Sequence, residues 1–392
     1  MISLPLFAYL KNRFRMLFKE IIGQEEIKKK LIKTVEENRI SHAQLFSGPE
    51  GAGSLPLAIA YAQYISCENR SGDDSCGICH SCIKYSKLIH PDLHFILPVA
   101  STPKVKEPLT DKFLEEWRVS FIENPYLNPA EWYKAIGLEN KQGFINVVES
   151  YEIIRKLSLK SYESEYKVVI IWLPEKMNKP TANKLLKIIE EPPSKTLFLM
   201  VTENSTNILP TIYSRVQMIK IPKLEEKEIL FTLQQKYDFE DVKMKDAAHL
   251  ADGNYLKALN VLERAEENKH HFEKFTTLMR LCWTNDIPGV LNWVEEIARA
   301  GRESQKQFLN YGLRIIRENF FINTNQGISE EINRMTQYES GFSVNFSKFI
   351  DKNNVFGITN EFNQASLHIG ANANGKIVFL DMANKLAKLI KK

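Results

Sequence analysis

The sequence predicts an α/β fold: a doubly wound parallel sheet over residues 1–222, followed by an all-helical remainder. Three observations carry this. Continuous apolar runs such as Tyr166–Leu173 and Thr196–Thr202 read as strands buried in a parallel sheet. Segments with helical periodicity separate those runs, and a glycine-rich loop joins one strand to the helix after it. From Leu224 onward the strand signal fades.

Residues 18–40 read as a helix, because Ile22, Ile27, Leu31, Ile32 and Val35 recur at helical spacing among lysines and glutamates. Ala43–Ser47 is a short buried strand leading into Gly48-Pro49-Glu50-Gly51-Ala52-Gly53, and a helix over Leu57–Ile65 follows. Asp92–Pro98 reads as the next strand. Residues 99–143 look different. Prolines at 103, 108, 125 and 129, with Trp117, Trp132 and Tyr133, suggest an irregular insertion with one or two short helices.

Regular alternation then resumes. Val148–Lys160 is helical, Tyr166–Leu173 a strand, and Lys179–Glu191 a helix stopped by Pro192 and Pro193. Thr196–Thr202 is a strand, Leu209–Tyr213 a short helix, and Gln217–Ile221 a last strand. Residues 224–264 predict three short helices, the third starting after Gly253-Asn254. Long helical patterns fill 270–320, the polar stretch 322–345 reads as a loop, and Ile377–Ile390 closes the chain as a helix. The working division is 1–222, 223–267 and 268–392.

At 392 residues, 44% hydrophobic and 26% charged, the chain is globular and long enough for two or three domains. Its 52 basic and 48 acidic residues leave a formal charge of +4, so any nucleic-acid role must rest on local patches. No apolar run approaches the roughly 20 residues of a membrane span. Met1–Phe7 is apolar but short, and Lys11, Arg13 and Arg15 follow it, which makes a poor signal peptide. A cytoplasmic location is expected.

Cys67, Cys76, Cys79 and Cys82 are the most specific chemical signal. Eight residues separate the first two cysteines and two separate each later pair. Two-residue spacing turns both sulfurs onto one ion about 2.3 Å away, and four thiolates close a tetrahedral shell around structural Zn²⁺. An iron–sulfur cluster or four free thiols are the alternatives. His80 lies inside the cluster, but four sulfurs already suffice.

The glycine loop stands where a Walker A loop would, between a strand and a helix. Gly48, Gly51 and Gly53 supply the curvature that wraps backbone N–H groups around phosphate. Such a loop also needs a lysine and a Ser/Thr hydroxyl. Ser54 stands in the lysine position and Leu55 in the hydroxyl position. The strand that should end in Mg²⁺-binding carboxylates ends Trp172-Leu173-Pro174-Glu175, and neither Trp172 nor Leu173 can ligate a hard cation. Two losses in one site point to a nucleotide-enzyme fold without its own chemistry. Ser214-Arg215 and Lys257, taken alone, read as surface groups. His90-Pro91-Asp92 reads as a turn into a strand.

Together these motifs resemble bacterial clamp-loader AAA+ subunits. Ser41-His42-Ala43-Gln44-Leu45-Phe46-Ser47-Gly48-Pro49 is similar to the strand and loop of that family, as are the cysteine knuckle and His90-Pro91-Asp92. Lys176-Met177-Asn178, Ala182–Lys187 and Glu190-Glu191-Pro192-Pro193 match the segment after its second nucleotide-binding strand. Ile208–Arg215 resembles its arginine-finger motif, with Val216 where cysteine is usual. Gly253–Leu259 resembles its sensor 2 element, with Lys257 in the arginine place. The resemblance covers residues 18 to about 265 apart from the insertion.

It implies an AAA+ core, a helical lid over 223–267 and a helical collar over 268–392, where Trp283, Leu291 and Trp293 could be buried between subunits. It also implies gamma/tau and delta subunits as partners, a sliding clamp and primed DNA reached through the complex, and no membrane. Arg215, next to Ser214, would act in trans on a neighbour's ATP, with no ATP hydrolysis by this chain. An active ATPase of the same complex, a zinc-ribbon nucleic-acid-binding protein and a stand-alone metal-dependent enzyme are the competing readings.

Overall fold

The computed structural model describes residues 15–138, 141–324 and 334–391. The chain divides into two compact units: Met1–Met244 with Ala251–Leu259, and Lys245–Leu250 with Asn260–Lys392. The division into 1–222, 223–267 and 268–392 is a proposal about working parts and does not coincide with these two units.

In the first unit, β1 (Ala43–Ser47), β2 (Leu93–Ile96), β3 (Lys167–Trp172), β4 (Thr196–Thr202) and β5 (Gln217–Lys220) form one sheet. Its order is β2-β3-β4-β1-β5, with every pairing parallel. Alternate residues face opposite cores. Val168, Ile170 and Trp172 of β3 enter one core, while Val169 and Ile171 enter the other. Burial on both faces explains why the strands read as continuous apolar runs rather than alternating ones. Helices α1 (Glu25–Glu36) and α2 (Ser54–Ser66) bring apolar residues to the first core, and α6 (Val147–Ser158), α7 (Lys179–Glu190) and α8 (Pro210–Tyr213) to the second. The short α3 (His80–Tyr85) follows the cysteines. This is the α/β AAA+ core the sequence led us to expect.

Two expectations about the first unit need correction. The helix placed over 18–40 starts only at Glu25. A 3₁₀ turn covers Phe18–Glu20, and Gly23 and Gln24 take left-handed φ values of +56° and +63°, which an α-helix cannot include. Gln24 is held there because its Nε2 donates to Ala52 O at 3.2 Å and Pro222 O at 2.8 Å. The strand ends at Ile96 rather than Pro98.

The insertion holds the short helices α4 (Leu114–Glu123) and α5 (Pro129–Ala135), as expected, and its aromatic residues join the first core. Trp117 is fully buried, with ring centroids 5.4 Å from Trp132 and 5.3 Å from Trp172. Trp132 Nε1 donates to Pro98 O at 2.9 Å. Helices α9 (Glu226–Lys236), α10 (Asp241–Ala251) and α11 (Tyr255–Glu263) are the three expected after Leu224.

The second unit is helical: α12 (Ala265–Thr284), α13 (Ile287–Ala298), α14 (Arg302–Thr324), α15 (Gln337–Phe346), α16 (Val355–Gly370) and α17 (Gly375–Ile390). Its core gathers Phe275, Trp293, Phe308, Phe362 and Phe379. The loop expected over 322–345 is corrected at both ends, since α14 runs to Thr324 and α15 begins at Gln337. Its central part, 325–333, lies outside the described residues, as does the apolar start at 1–7. Glu339 reaches back to the Thr336 N–H at 2.8 Å in a capping box, which starts α15 within a polar stretch. Trp293 is also corrected: it is buried within its own unit, its Nε1 donating to Lys274 O at 3.0 Å. Trp283 and Leu291 do remain exposed. No helix among the described residues is long and apolar enough to cross a membrane.

Candidate functional site

The glycine loop lies between β1 and α2, as its sequence demands. Gly51 and Gly53 adopt φ of +73° and +88°, open to glycine but strained for other residues. The loop is gripped from two sides. Tyr255 N donates to Gly51 O at 3.3 Å, and a Cβ at Gly51 would fall 2.0 Å from Asn254 Oδ1. Tyr126, carried by the insertion, covers Gly53, and its hydroxyl accepts from Ile22 N at 2.9 Å. The rings of Tyr126 and Tyr255 lie 5.0 Å apart. Nothing in the sequence pattern marks Tyr126 for this position.

The cleft beside the loop is lined by Glu50, Ser54, Leu55, Tyr126, Trp172 and Glu203, among others. Its enclosed volume is about 30 Å³, room for a water or two. No lysine or arginine is among the lining residues. The carboxyl-bearing lining residues, Glu50 and Glu203, are acidic instead. Burial, with the charges of Glu50 and Glu175, pushes the Glu203 carboxyl up to about 7. Burial also raises Glu175, which accepts from Thr202 Oγ1 at 2.9 Å. Ser54 Oγ is buried without a hydrogen-bond partner among the described residues. Trp172, in the position expected of a metal-binding carboxylate, packs on Trp117. Lys257 is exposed on α11 and is not among the cleft's lining residues; its N–H donates to Asn254 Oδ1 at 3.1 Å.

Arg215 follows α8 and its side chain is 32% exposed. Its Nε donates to Glu190 Oε1, and its Nη1 donates to Thr211 O at 2.8 Å and to Ser214 Oγ at 3.2 Å. The structure therefore brings Arg215 and Ser214 together and adds Glu190, which sequence reasoning matched only as part of a motif.

The four knuckle cysteines converge, their sulfurs all lying within 4.8 Å of one another. Cys76 Sγ and Cys82 Sγ are 3.9 Å apart, close to the ~3.8 Å that tetrahedral geometry gives for 2.3 Å metal–sulfur bonds. Backbone N–H groups of Cys76, Cys79 and Cys82 donate to the sulfurs of Cys67, Cys76 and Cys79 at 3.3, 3.3 and 3.4 Å. Burial pushes the Cys67 and Cys82 thiols up. At Cys76 burial raises the thiol, but hydrogen bonds from the N–H groups of Ile78 and Cys79, together with those from the Cys79 and Cys67 side chains, lower it to about 7. A thiolate donor set with N–H support fits a metal ion such as zinc. His80 is exposed and lies outside the four-sulfur group.

His90-Pro91-Asp92 does more than turn the chain. Asp92 accepts from the backbone N–H groups of Tyr162, Glu163 and Ser164 at 2.6, 2.8 and 2.8 Å, which fixes the loop that enters β3.

The strand order, the glycine loop ahead of α2 and the cysteine knuckle define an AAA+ core whose own cleft lacks the groups that handle nucleotide charge. The family model for "DNA polymerase III, delta subunit" matches residues 23–225, and the chain belongs to that family. It is 28% identical over 206 residues to DNA polymerase III subunit delta' of Bacillus subtilis, covering 53% of this chain and 50% of that protein. With subunit delta' of Haemophilus influenzae it shares 27% over 252 residues, 64% of each chain. Subunit tau of Bacillus subtilis is 26% identical over 254 residues, 63% of this chain and 37% of that protein. The matched stretches thus span between about a third and two thirds of these relatives' own lengths. Among solved structures, the Bacillus subtilis DNA clamp loader delta protein is 10% identical, with 93% of this chain and all of that chain covered and a TM-score of 0.38.

Proposed function

We propose that this chain is a non-catalytic clamp-loader subunit of the delta-prime kind, which lends Arg215 to the ATP of a neighbouring subunit. One observation carries the reading: charge is distributed oppositely at the two places that could meet a triphosphate. The chain's own cleft is small, lined by Glu50 and Glu203, and without a lysine or arginine. Arg215 is not among the cleft's lining residues and is partly exposed just after α8. The partners on this reading are gamma/tau and delta subunits, with the sliding clamp and primed DNA met through the assembly. Cys67, Cys76, Cys79 and Cys82 would hold a structural Zn²⁺, whose closed shell braces the knuckle and takes no part in chemistry.

An arginine supplied in trans stabilises the charge of a transferring phosphoryl group, by about 10³ to 10⁵ in rate in other NTPases. Its planar fork matches phosphate oxygens as a point charge does not. The test is DNA-stimulated ATPase of an assembly reconstituted with gamma/tau and delta subunits. Arg215→Ala should assemble normally and slow turnover at the adjoining site by about 10³-fold or more, and Arg215→Lys should not restore it. Unaltered turnover contradicts the proposal. The similarity to subunit tau favours a second reading, an active ATPase of the same complex, which requires tight Mg²⁺-ATP binding by the chain alone.

A further inference from the structure

We infer that Glu190 is the positioning residue for Arg215, an inference that rests on the arginine's role proposed above. Glu190 is the last residue of α7, a helix anchored on the sheet by buried Ala182, Leu185 and Ile189. Ile189 and Ile212 of α8 belong to one apolar cluster, so the two helix ends that carry Glu190 and Arg215 share a common floor. The pair is therefore set by the core and not by two wandering surface chains.

A guanidinium carries five N–H donors. Three of the five point at this chain: one from Nε to Glu190 Oε1, and two from Nη1 to Thr211 O and Ser214 Oγ. Nη2 has no partner among the described residues. Glu190 supplies the only charged acceptor of the three, and charge-assisted bonds are roughly twice as strong as neutral ones. The carboxylate holds the long side chain in one rotamer, and the hydrogens left on Nη2 are those an incoming phosphoryl oxygen can meet. Without Glu190 the arginine keeps its charge but loses its direction.

The test uses the reconstituted assembly and compares Glu190→Ala, Arg215→Ala and the double variant, with kcat and KM for ATP measured separately. Misplacement of a catalytic group lowers kcat without altering ground-state binding. Glu190→Ala should therefore lower kcat by up to about 100-fold, leave KM unchanged, and add nothing to the loss already caused by Arg215→Ala. Wild-type or faster turnover by Glu190→Ala, while Arg215→Ala is slow, overturns the inference, as does a change confined to KM. If Arg215→Ala itself turns over at the wild-type rate, the arginine reading has failed first, and this inference fails with it.

Discussion

Tyr126 stands over Gly53 so closely that a Cβ on the glycine would lie 3.0 Å from Tyr126 Cε1. The insertion thus reaches the turn where a phosphate-binding loop would open to its ligand. Gly53 also needs its φ of +88° to cap α2. Gly53→Ala combines backbone strain with this contact and should cost about 1–3 kcal/mol, read as a lower midpoint in urea unfolding. Tyr126→Phe keeps the ring and removes only the partner of Ile22 N. It should cost about 1–3 kcal/mol as that buried N–H loses its acceptor.

Glu149 is buried, and its carboxylate accepts from Thr110 N. Burial pushes its carboxyl from 4.5 up to about 7. The folded state therefore holds a proton that the unfolded chain has already released between those values. Where the folded state binds more protons, stability falls as pH rises. The loss begins near pH 4.5 and is complete above about 7; a difference of this size corresponds to about 3 kcal/mol. Glu149→Gln cannot titrate, so urea unfolding of that variant should show a shallower decline across the same window.

Metal analysis of the purified chain should find a single equivalent of zinc. Co²⁺ substitution should give the intense sulfur-to-metal charge-transfer bands of a four-thiolate shell. Cys79→Ser should lose the metal and loosen the knuckle. Binding requires deprotonated thiols, so affinity should weaken as pH falls. An octahedral oxygen-ligand spectrum would contradict the assignment.

Asp92 gathers three backbone donors from the loop before β3. Asp92→Asn replaces a charged acceptor by a neutral one and should cost about 1.5–3 kcal/mol. Hydrogen exchange at Tyr162, Glu163 and Ser164 should rise more than at β4, which keeps its ladder.

The sheet was legible because its strands are buried on both faces, and the apolar runs at Ala43–Ser47 and Thr196–Thr202 coincide with β1 and β4. The degenerate loop was legible because missing a lysine and a hydroxyl is a matter of residue type. The role of the insertion was not. Trp117 and Trp172 meet through space across 55 positions of sequence, and prolines around Trp117 and Trp132 hide their shared burial. The start of α1 was misplaced because Ile22 fits the helical period although Gly23 and Gln24 are left-handed. Helix α16 went unnoticed in a stretch that mixes Asn, Gly, Thr and Ser with scattered apolar residues. The Glu190–Arg215 pair depends on two helices meeting at one corner of the core, which no single-segment pattern records.

The most direct measurement is equilibrium titration of the purified, metal-loaded chain with Mg²⁺-ATP, followed by assay for released phosphate. With Glu50 and Glu203 lining the cleft and no lysine or arginine among its lining residues, no saturable binding below about 1 mM, equivalent to less than ~4 kcal/mol, and no phosphate release are expected. Micromolar affinity with hydrolysis by the isolated chain would contradict that expectation.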